Sequence, residues 1–115
     1  MNEHDDEPVL IYVTFETRSE AEEVAHTLVA ARLVACVNIL PDMLSIYEWQ
    51  GQISRASEVV ALFKTRQALA AQVKSEIRSL HSYETPAILV IPTAGGDAGY
   101  CEWIRAVTSM STEVG

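Results

Sequence analysis

From Val34 to Phe63 the chain reads as extended backbone, and one short turn signal, Gln50-Gly51-Gln52, divides it. Val34 to Leu40 is apolar, Pro41-Asp42 interrupts, and Met43 to Trp49 resumes. A return strand follows from Ile53, with its core at Val59-Val60-Ala61-Leu62-Phe63. Strands joined by so tight a turn pair antiparallel, so the spacing predicts a long hairpin. Proline donates no ladder hydrogen bond, which puts Pro41 at an edge or a bulge. Alternation sends Leu44 and Ile46 to one face and Ser45, Tyr47 and Trp49 to the other.

The segments around the hairpin narrow the architecture. Val9 to Phe15 is β-branched and aromatic, bounded by Pro8 and polar residues, and predicts a strand. Ser19-Glu20-Ala21-Glu22 carries a capping-box signature, and Ala21, Val24, Ala25, Leu28 and Val29 follow at helical spacing. That helix is expected to end near Arg32, whose charge suits a helix C-terminus. After the hairpin, Thr65 is expected to open a second helix with Leu69, Val73, Ile77 and Leu80 as its apolar stripe. Ala87 to Ile91 predicts another strand, and Pro92 and Gly95-Gly96 break the chain. Asp97 can then cap a last helix with Tyr100, Trp103, Ile104 and Val107 on one face.

The order is β-α-β-β-α-β-α. Without its last helix it is the split βαβ, or ferredoxin-like, arrangement, an α+β fold. Right-handed crossovers place both long helices on one face of a four-stranded antiparallel sheet.

The chain has 115 residues, which predicts one domain. We expect it over residues 8–110, between an acidic disordered tail at residues 1–7 and a short C-terminal tail at 111–115. Glu3, Asp5, Asp6 and Glu7 lie in the first tail, and without them the net charge falls from −8 to −4. The eight basic residues are scattered, so nucleic acid and anionic membranes are excluded as partners, because phosphate neutralisation needs clustered Lys and Arg. No apolar run reaches the roughly 18 residues of a membrane span, and the acidic N-terminus is unlike a signal sequence. A soluble, cytoplasmic protein is expected.

The two cysteines, Cys36 and Cys101, make no C-x-x-C pair and no disulfide framework. Within Leu33-Val34-Ala35-Cys36-Val37, Cys36 reads first as a buried thiol acting as a small hydrophobe, with a ligand or redox role as the alternative. His26 on the first helix reads as a surface partner of Glu22 or Glu23.

The densest chemistry lies in His81-Ser82-Tyr83-Glu84-Thr85-Pro86. An imidazole, a phenol and a carboxylate fall within four positions of a connection that normally holds turn residues. His81 and Glu84, three apart, share a face if helical curvature persists, and such a pair suits a divalent transition metal. Two ligands are too few for a closed site. The bland reading has His81 capping the last carbonyls of the second helix and Glu84 pairing with Lys64 or Arg66. Trp49 and Tyr83 suit a core, an interface or a pocket rim. Glu58 and Lys64, flanking the apolar run, suit solvated strand ends. No Ser-His-Asp order, phosphate-cradling glycine loop or paired-carboxylate site stands out, and nothing identifies a substrate, so an enzyme is the least supported class.

Several motifs occur together in order: Ala35-Cys36-Val37-Asn38-Ile39, Ser45-Ile46-Tyr47-Glu48-Trp49 with Gly51, Ser57-Glu58-Val59, Lys64-Thr65, the His81 to Pro86 segment, and Tyr100-x-x-Trp103-Ile104. This set resembles the CutA divalent-cation tolerance family over roughly Val9 to Val107. The resemblance implies a ferredoxin-like fold, a tight homotrimer like that of PII signalling proteins, and an association with tolerance to copper and other divalent metals. It implies a cleft between subunits in which Trp49, Glu58, Lys64 and Tyr83 bind the ligand and Cys36, His81 and Glu84 hold a metal, with copper the expected ion. The alternatives are a PII-like trimeric sensor of a small anionic metabolite and a stable trimeric scaffold for partner proteins. The family commonly has Pro after the His. Ser82 stands here instead, which is expected to free the loop backbone, while Pro86 is kept.

Overall fold

A computed structural model of the chain describes residues 3–109. The element order is β1 (Pro8–Phe15), α1 (Arg18–Ala30), β2 (Cys36–Trp49), β3 (Gln52–Arg66), α2 (Ala70–Leu80), β4 (Ile88–Pro92) and α3 (Ala98–Ser109). The strands form one antiparallel sheet in the order β2-β3-β1-β4, which is the expected ferredoxin-like topology. Among the described residues, no helix is long and apolar enough to cross a membrane.

Side-chain alternation divides the sheet into two unlike faces. Val9, Ile11, Val13 and Phe15 of β1 and Val59, Ala61 and Phe63 of β3 point to one side. They pack with Ala21, Val24 and Leu28 of α1 and Ala70, Val73 and Ile77 of α2 as the core. Each large side chain fully buried there contributes roughly 1.5–3 kcal/mol. The opposite face carries Tyr12, Leu40, Leu89 and Ile91, and α3 covers only the end near Lys64 and Arg66.

The hairpin is longer than the sheet it belongs to. Phe15 pairs with Val59, the last β1–β3 partners, so β3 from Gln52 to Glu58 has only β2 beside it. Gln50 and Gly51 both have positive φ, 50° and 80°, the type I′ geometry that matches the twist of a two-residue hairpin loop. Pro41 sits where it is tolerated, in a bulge on an edge strand: the β2–β3 register shifts between Leu40 and Met43, with Asp42 at φ 61°. The shift exchanges the faces. Val37 and Ile39 point to the core before it, whereas Tyr47 and Trp49 point to the open face after it.

Several boundaries differ from expectation. Thr17, not Ser19, caps α1, its Oγ1 accepting from the Glu20 N–H at 3.1 Å. The helix closes with Leu33 N–H donating to the Leu28 carbonyl and Arg32 N–H to that of Val29, a Schellman motif in which Arg32 takes the positive φ of 59° that glycine usually supplies. Thr65 opens no helix. It is a buried residue of β3, donating to the Leu33 carbonyl at 2.7 Å, and α2 starts only after a 3-10 turn at Gln67–Leu69. Leu80, expected in the α2 stripe, is exposed, and Ala70 is buried in its place. On α3 the buried seam is Cys101, Ile104 and Thr108, while Tyr100 and Trp103 stack on each other at its exposed edge.

The expected disordered N-terminal tail is docked where it is described. Glu3–Asp6 form a 3-10 turn, Asp6 lies 3.6 Å from Arg66, and the Glu7 carbonyl accepts from Gln67 N–H at 2.9 Å. The expected C-terminal tail at residues 111–115 lies outside the described residues, as does residue 110.

Candidate functional site

The segment after α2 leaves helical geometry at once: His81 has φ −79° and ψ 143°. His81 and Glu84 therefore share no helical face, and His81 does not cap α2. Its imidazole turns inward and stacks on Phe15, with centroids 4.5 Å apart and planes 12° from parallel. Nε2 lies 2.7 Å from the Thr14 carbonyl, and Nδ1 accepts from the Tyr83 N–H at 3.0 Å. A carbonyl on one side and an amide donor on the other assign the proton to Nε2. The side chain has no solvent exposure. The expected metal ligand thus has both ring nitrogens engaged, and its geometry is that of a post fixing the loop to β1.

Ser82 has a role that the usual proline could not fill. Its N–H donates to Oε2 of Glu20 on α1 at 2.7 Å, and proline has no N–H. The loop backbone, expected to be freer, is tied down. The same Glu20 carboxylate stands 3.8 Å from His81 Nδ1.

So held, Tyr83 extends over the open face of the sheet, and its hydroxyl donates to Oε2 of Glu58 at 3.0 Å. Burial first, and then the Glu58 carboxylate that accepts its proton, push the Tyr83 phenol up to about 12. The two residues line a hollow of about 450 Å³ together with Tyr47, Trp49, Thr14 and Thr85. It lies at the root of the projecting hairpin. Trp49, Glu58 and Tyr83 of the expected cleft are thus together. Lys64 is not with them.

Lys64 lies six residues along β3 from Glu58 on the same face, about 20 Å away at the rise of an extended strand. Its Nζ donates to the Tyr100 hydroxyl at 3.0 Å and lies 5.3 Å from that ring's centroid. The hydrogen bond to Tyr100, more than the nearby Cys36, raises the Lys64 ammonium above the ordinary lysine range. Cys36 is the cross-strand partner of Lys64 and shares its face. The expectation of a core thiol is corrected: Cys36 is half-buried on the open side, where Asn38 Nδ2 approaches Sγ at 3.9 Å. Arg66 is engaged by Asp6 and Thr108, so neither basic residue expected to pair with the exposed Glu84 is directed to it. Among the described residues, no group of three His, Cys, Asp or Glu is placed to hold a metal ion within the one chain.

Glu20, Thr14 and Tyr100 were not singled out by sequence reasoning. Glu20 was hidden inside a capping signature. Thr14 acts through its carbonyl, which no side-chain pattern reveals. Tyr100 was visible as part of an apolar helix face and of the Tyr100-x-x-Trp103-Ile104 motif, neither of which reveals its bond with Lys64.

These features define a small α+β domain with one sheet face closed by helices and the other largely open, bearing a polar and aromatic hollow beside a projecting hairpin. The chain belongs to the CutA1 divalent ion tolerance protein family, whose model matches residues 9–107. It is 35% identical over 100 residues to "Protein CutA, chloroplastic" of Arabidopsis thaliana, covering 87% of this chain and 55% of the relative. It is 39% identical over 102 residues to "Protein CutA" of Homo sapiens, covering 89% and 57%. The chain thus spans just over half the length of these curated relatives. Among solved structures, the periplasmic divalent cation tolerance protein CutA from Archaeoglobus fulgidus superposes with a TM-score of 0.85 at 38% identity, covering 88% of this chain and 98% of that one.

Proposed function

We propose that this chain acts in divalent-cation tolerance as a binding protein rather than an enzyme, and that it works as a PII-like homotrimer holding a metal ion, copper first, in a cleft between subunits. One observation carries the reading: five of the seven site residues fall into two groups about 20 Å apart on the same open face. One group is Trp49, Glu58 and Tyr83, and the other is Cys36 and Lys64. A second copy that brought its Cys36–Lys64 end against the Glu58–Tyr83 end of the first would complete a cleft that neither has alone.

The surface supports such an assembly. Leu40, Leu89 and Ile91 are exposed on the open face, Leu89 at 62%, and the hairpin exposes Tyr47, Ile53 and Trp49, the last at 63%. A monomer rarely leaves so much apolar surface and two bare strand edges in water, and a closed ring of copies covers both. Cys36 and Glu84, from different subunits, would supply soft and hard donors, a set that favours copper or zinc over magnesium or calcium. His81 joins them only by giving up its bond from Tyr83 N–H, so its first role is to hold the loop.

The relatives' names place them in different compartments, chloroplastic in Arabidopsis thaliana and periplasmic in Archaeoglobus fulgidus. The cytoplasm is our reading for the domain itself.

Light scattering tests the assembly: a mass three times the 12.7 kDa of the chain is expected, and a monomer at all concentrations overturns it. Copper titration of chelator-stripped protein, with anomalous diffraction from a soaked crystal, tests the ion. Copper at the subunit boundary is expected. Unchanged affinity in a Cys36→Ala, Glu84→Ala double variant overturns the ligand set.

A further inference from the structure

We propose that the cavity between the N-terminal turn and α3 takes the disulfide of a small peptide-like thiol carrying both carboxylate and ammonium groups, and that Cys101 exchanges with it to hold that thiol as a reversible mixed disulfide. The inference does not rest on the metal reading, because the cavity shares no residue with the cleft.

The cavity holds about 470 Å³, the scale of small-molecule sites. Successive residues of a helix turn by about 100°. Ala98 and Arg105 therefore flank the buried seam of α3 on the cavity side, while Trp103 and Tyr100, which binds Lys64, flank it on the other. The lining carries both signs of charge: Asp6 and Glu7 from the N-terminal segment and Arg105 from α3. The acidic wall is fixed in place. Arg66 lies 3.6 Å from Asp6, Gln67 N–H donates to the Glu7 carbonyl, and the Thr93 hydroxyl donates to the Pro8 carbonyl at 2.7 Å. A carboxylate accepts several donors, so Asp6 can keep Arg66 and still face an ammonium. Arg105 takes part in no ion pair among the described residues, and its planar fork suits a carboxylate.

Cys101 gives the cavity its chemistry. Its thiol is free, lines the cavity and is only 9% exposed, and among the described residues no hydrogen bond engages the sulfur. Gly96 leaves bare backbone beside it, where a Cβ would stand 3.5 Å from Sγ. The sulfur is thus reached through the cavity and not from open solvent, which selects a reagent that the charged lining can hold. In the exchange the Cys101 thiolate attacks one sulfur of the disulfide. An S–S bond to Cys101 forms as the original S–S bond breaks, and the departing thiolate takes up the proton that the protein thiol released. The thiol is oxidised and the disulfide reduced, so no other oxidant enters.

The probes are oxidised glutathione and, as the neutral control, hydroxyethyl disulfide. Adducts on the folded protein are followed by intact mass and located by non-reducing peptide mapping. One glutathione at Cys101, removed by a reducing agent, is expected. Rates are then compared in a Cys36→Ser background whose fold is checked by circular dichroism. The ratio of the glutathione rate to the neutral rate should be about tenfold higher in the folded protein than in the urea-unfolded chain, the effect of one well-placed ion pair. Arg105→Gln should return that ratio to the unfolded value and leave the neutral rate unchanged. Gly96→Val, which puts a branched side chain against Sγ, should slow both disulfides. Adducts confined to Cys36, a ratio equal to that of the unfolded chain, or a ratio indifferent to Arg105→Gln overturns the proposal. A Cys101 rate that Gly96→Val does not slow overturns it as well, because the sulfur would then be reached by unfolding and not through the cavity.

Discussion

The Tyr83 hydroxyl donates a 3.0 Å hydrogen bond to Oε2 of Glu58, joining the loop after α2 to the base of the hairpin across 25 residues of sequence. Everything behind Tyr83 serves that reach. His81 is locked between Phe15, the Thr14 carbonyl and the Tyr83 N–H, and Ser82 is locked by Glu20. The loop forms one wall of the hollow because its first residues, His81 and Ser82, are fastened to β1 and α1.

The first prediction concerns alkaline pH. The Tyr83 phenol is raised from the ordinary tyrosine value of 10.0 to about 12, by burial first and Glu58 second. In the unfolded chain it would ionise near the ordinary tyrosine value. Between those limits the unfolded state binds fewer protons than the folded one, so stability falls as pH rises. The contribution is whole below pH 10 and is lost through about 12. Tyrosinate ultraviolet absorbance should show one phenol titrating late, absent in Tyr83→Phe and shifted towards the ordinary value in Glu58→Gln. A wild-type titration identical to that of Tyr83→Phe would refute the assignment.

Glu20 should act on the loop from α1. Glu20→Ala removes the acceptor of the Ser82 N–H and should cost roughly 1.5 kcal/mol, the lower end for a hydrogen bond to a charged group. Glu20→Gln should cost less, and Ser82→Pro should lose the same bond from the donor side. Amide exchange at Ser82 is the direct measure. Exchange unchanged in Glu20→Ala would show that the bond does not hold the loop in solution.

The α2 stripe gives a contrast between neighbours. Ile77 is fully buried, whereas Leu80 is exposed at 42%. Ile77→Ala should destabilise by about 2–5 kcal/mol through lost burial and the cavity left behind. Leu80→Ala should cost less than about 1 kcal/mol. Urea denaturation at one fixed protein concentration compares them, and equal effects would contradict the packing described.

The hairpin tip offers a purely conformational test. A Cβ at Gly51 would meet nothing within 4 Å, yet φ is 80°. Gly51→Ala should therefore cost about 1–2 kcal/mol from the left-handed backbone alone. Gly51→Asn, a residue that tolerates this region, should recover part of it. A neutral Gly51→Ala would mean that the type I′ turn is not maintained in solution.

Local patterns determined much of this protein. Alternation and helical spacing placed every strand and helix in order, because each element must present an apolar face of period two or 3.6 to one core. The hairpin, its turn and the irregularity at Pro41 were legible for the same reason, as backbone constraints written in single residues. The limits of α2 were not legible, because Thr65 stays in the sheet through a bond to the Leu33 carbonyl, a residue 32 positions away. Nor were the roles within the site. The order of His81, Tyr83 and Glu84 is compatible with a ligand cluster, and only packing against Phe15 and Thr14 turned His81 inward. Strand register put Lys64 and Cys36 at the other end of the face from Glu58. Which chemical groups the chain carries is a local property, but which of them meet depends on contacts between residues far apart in sequence. Those contacts exist only once the sheet has formed.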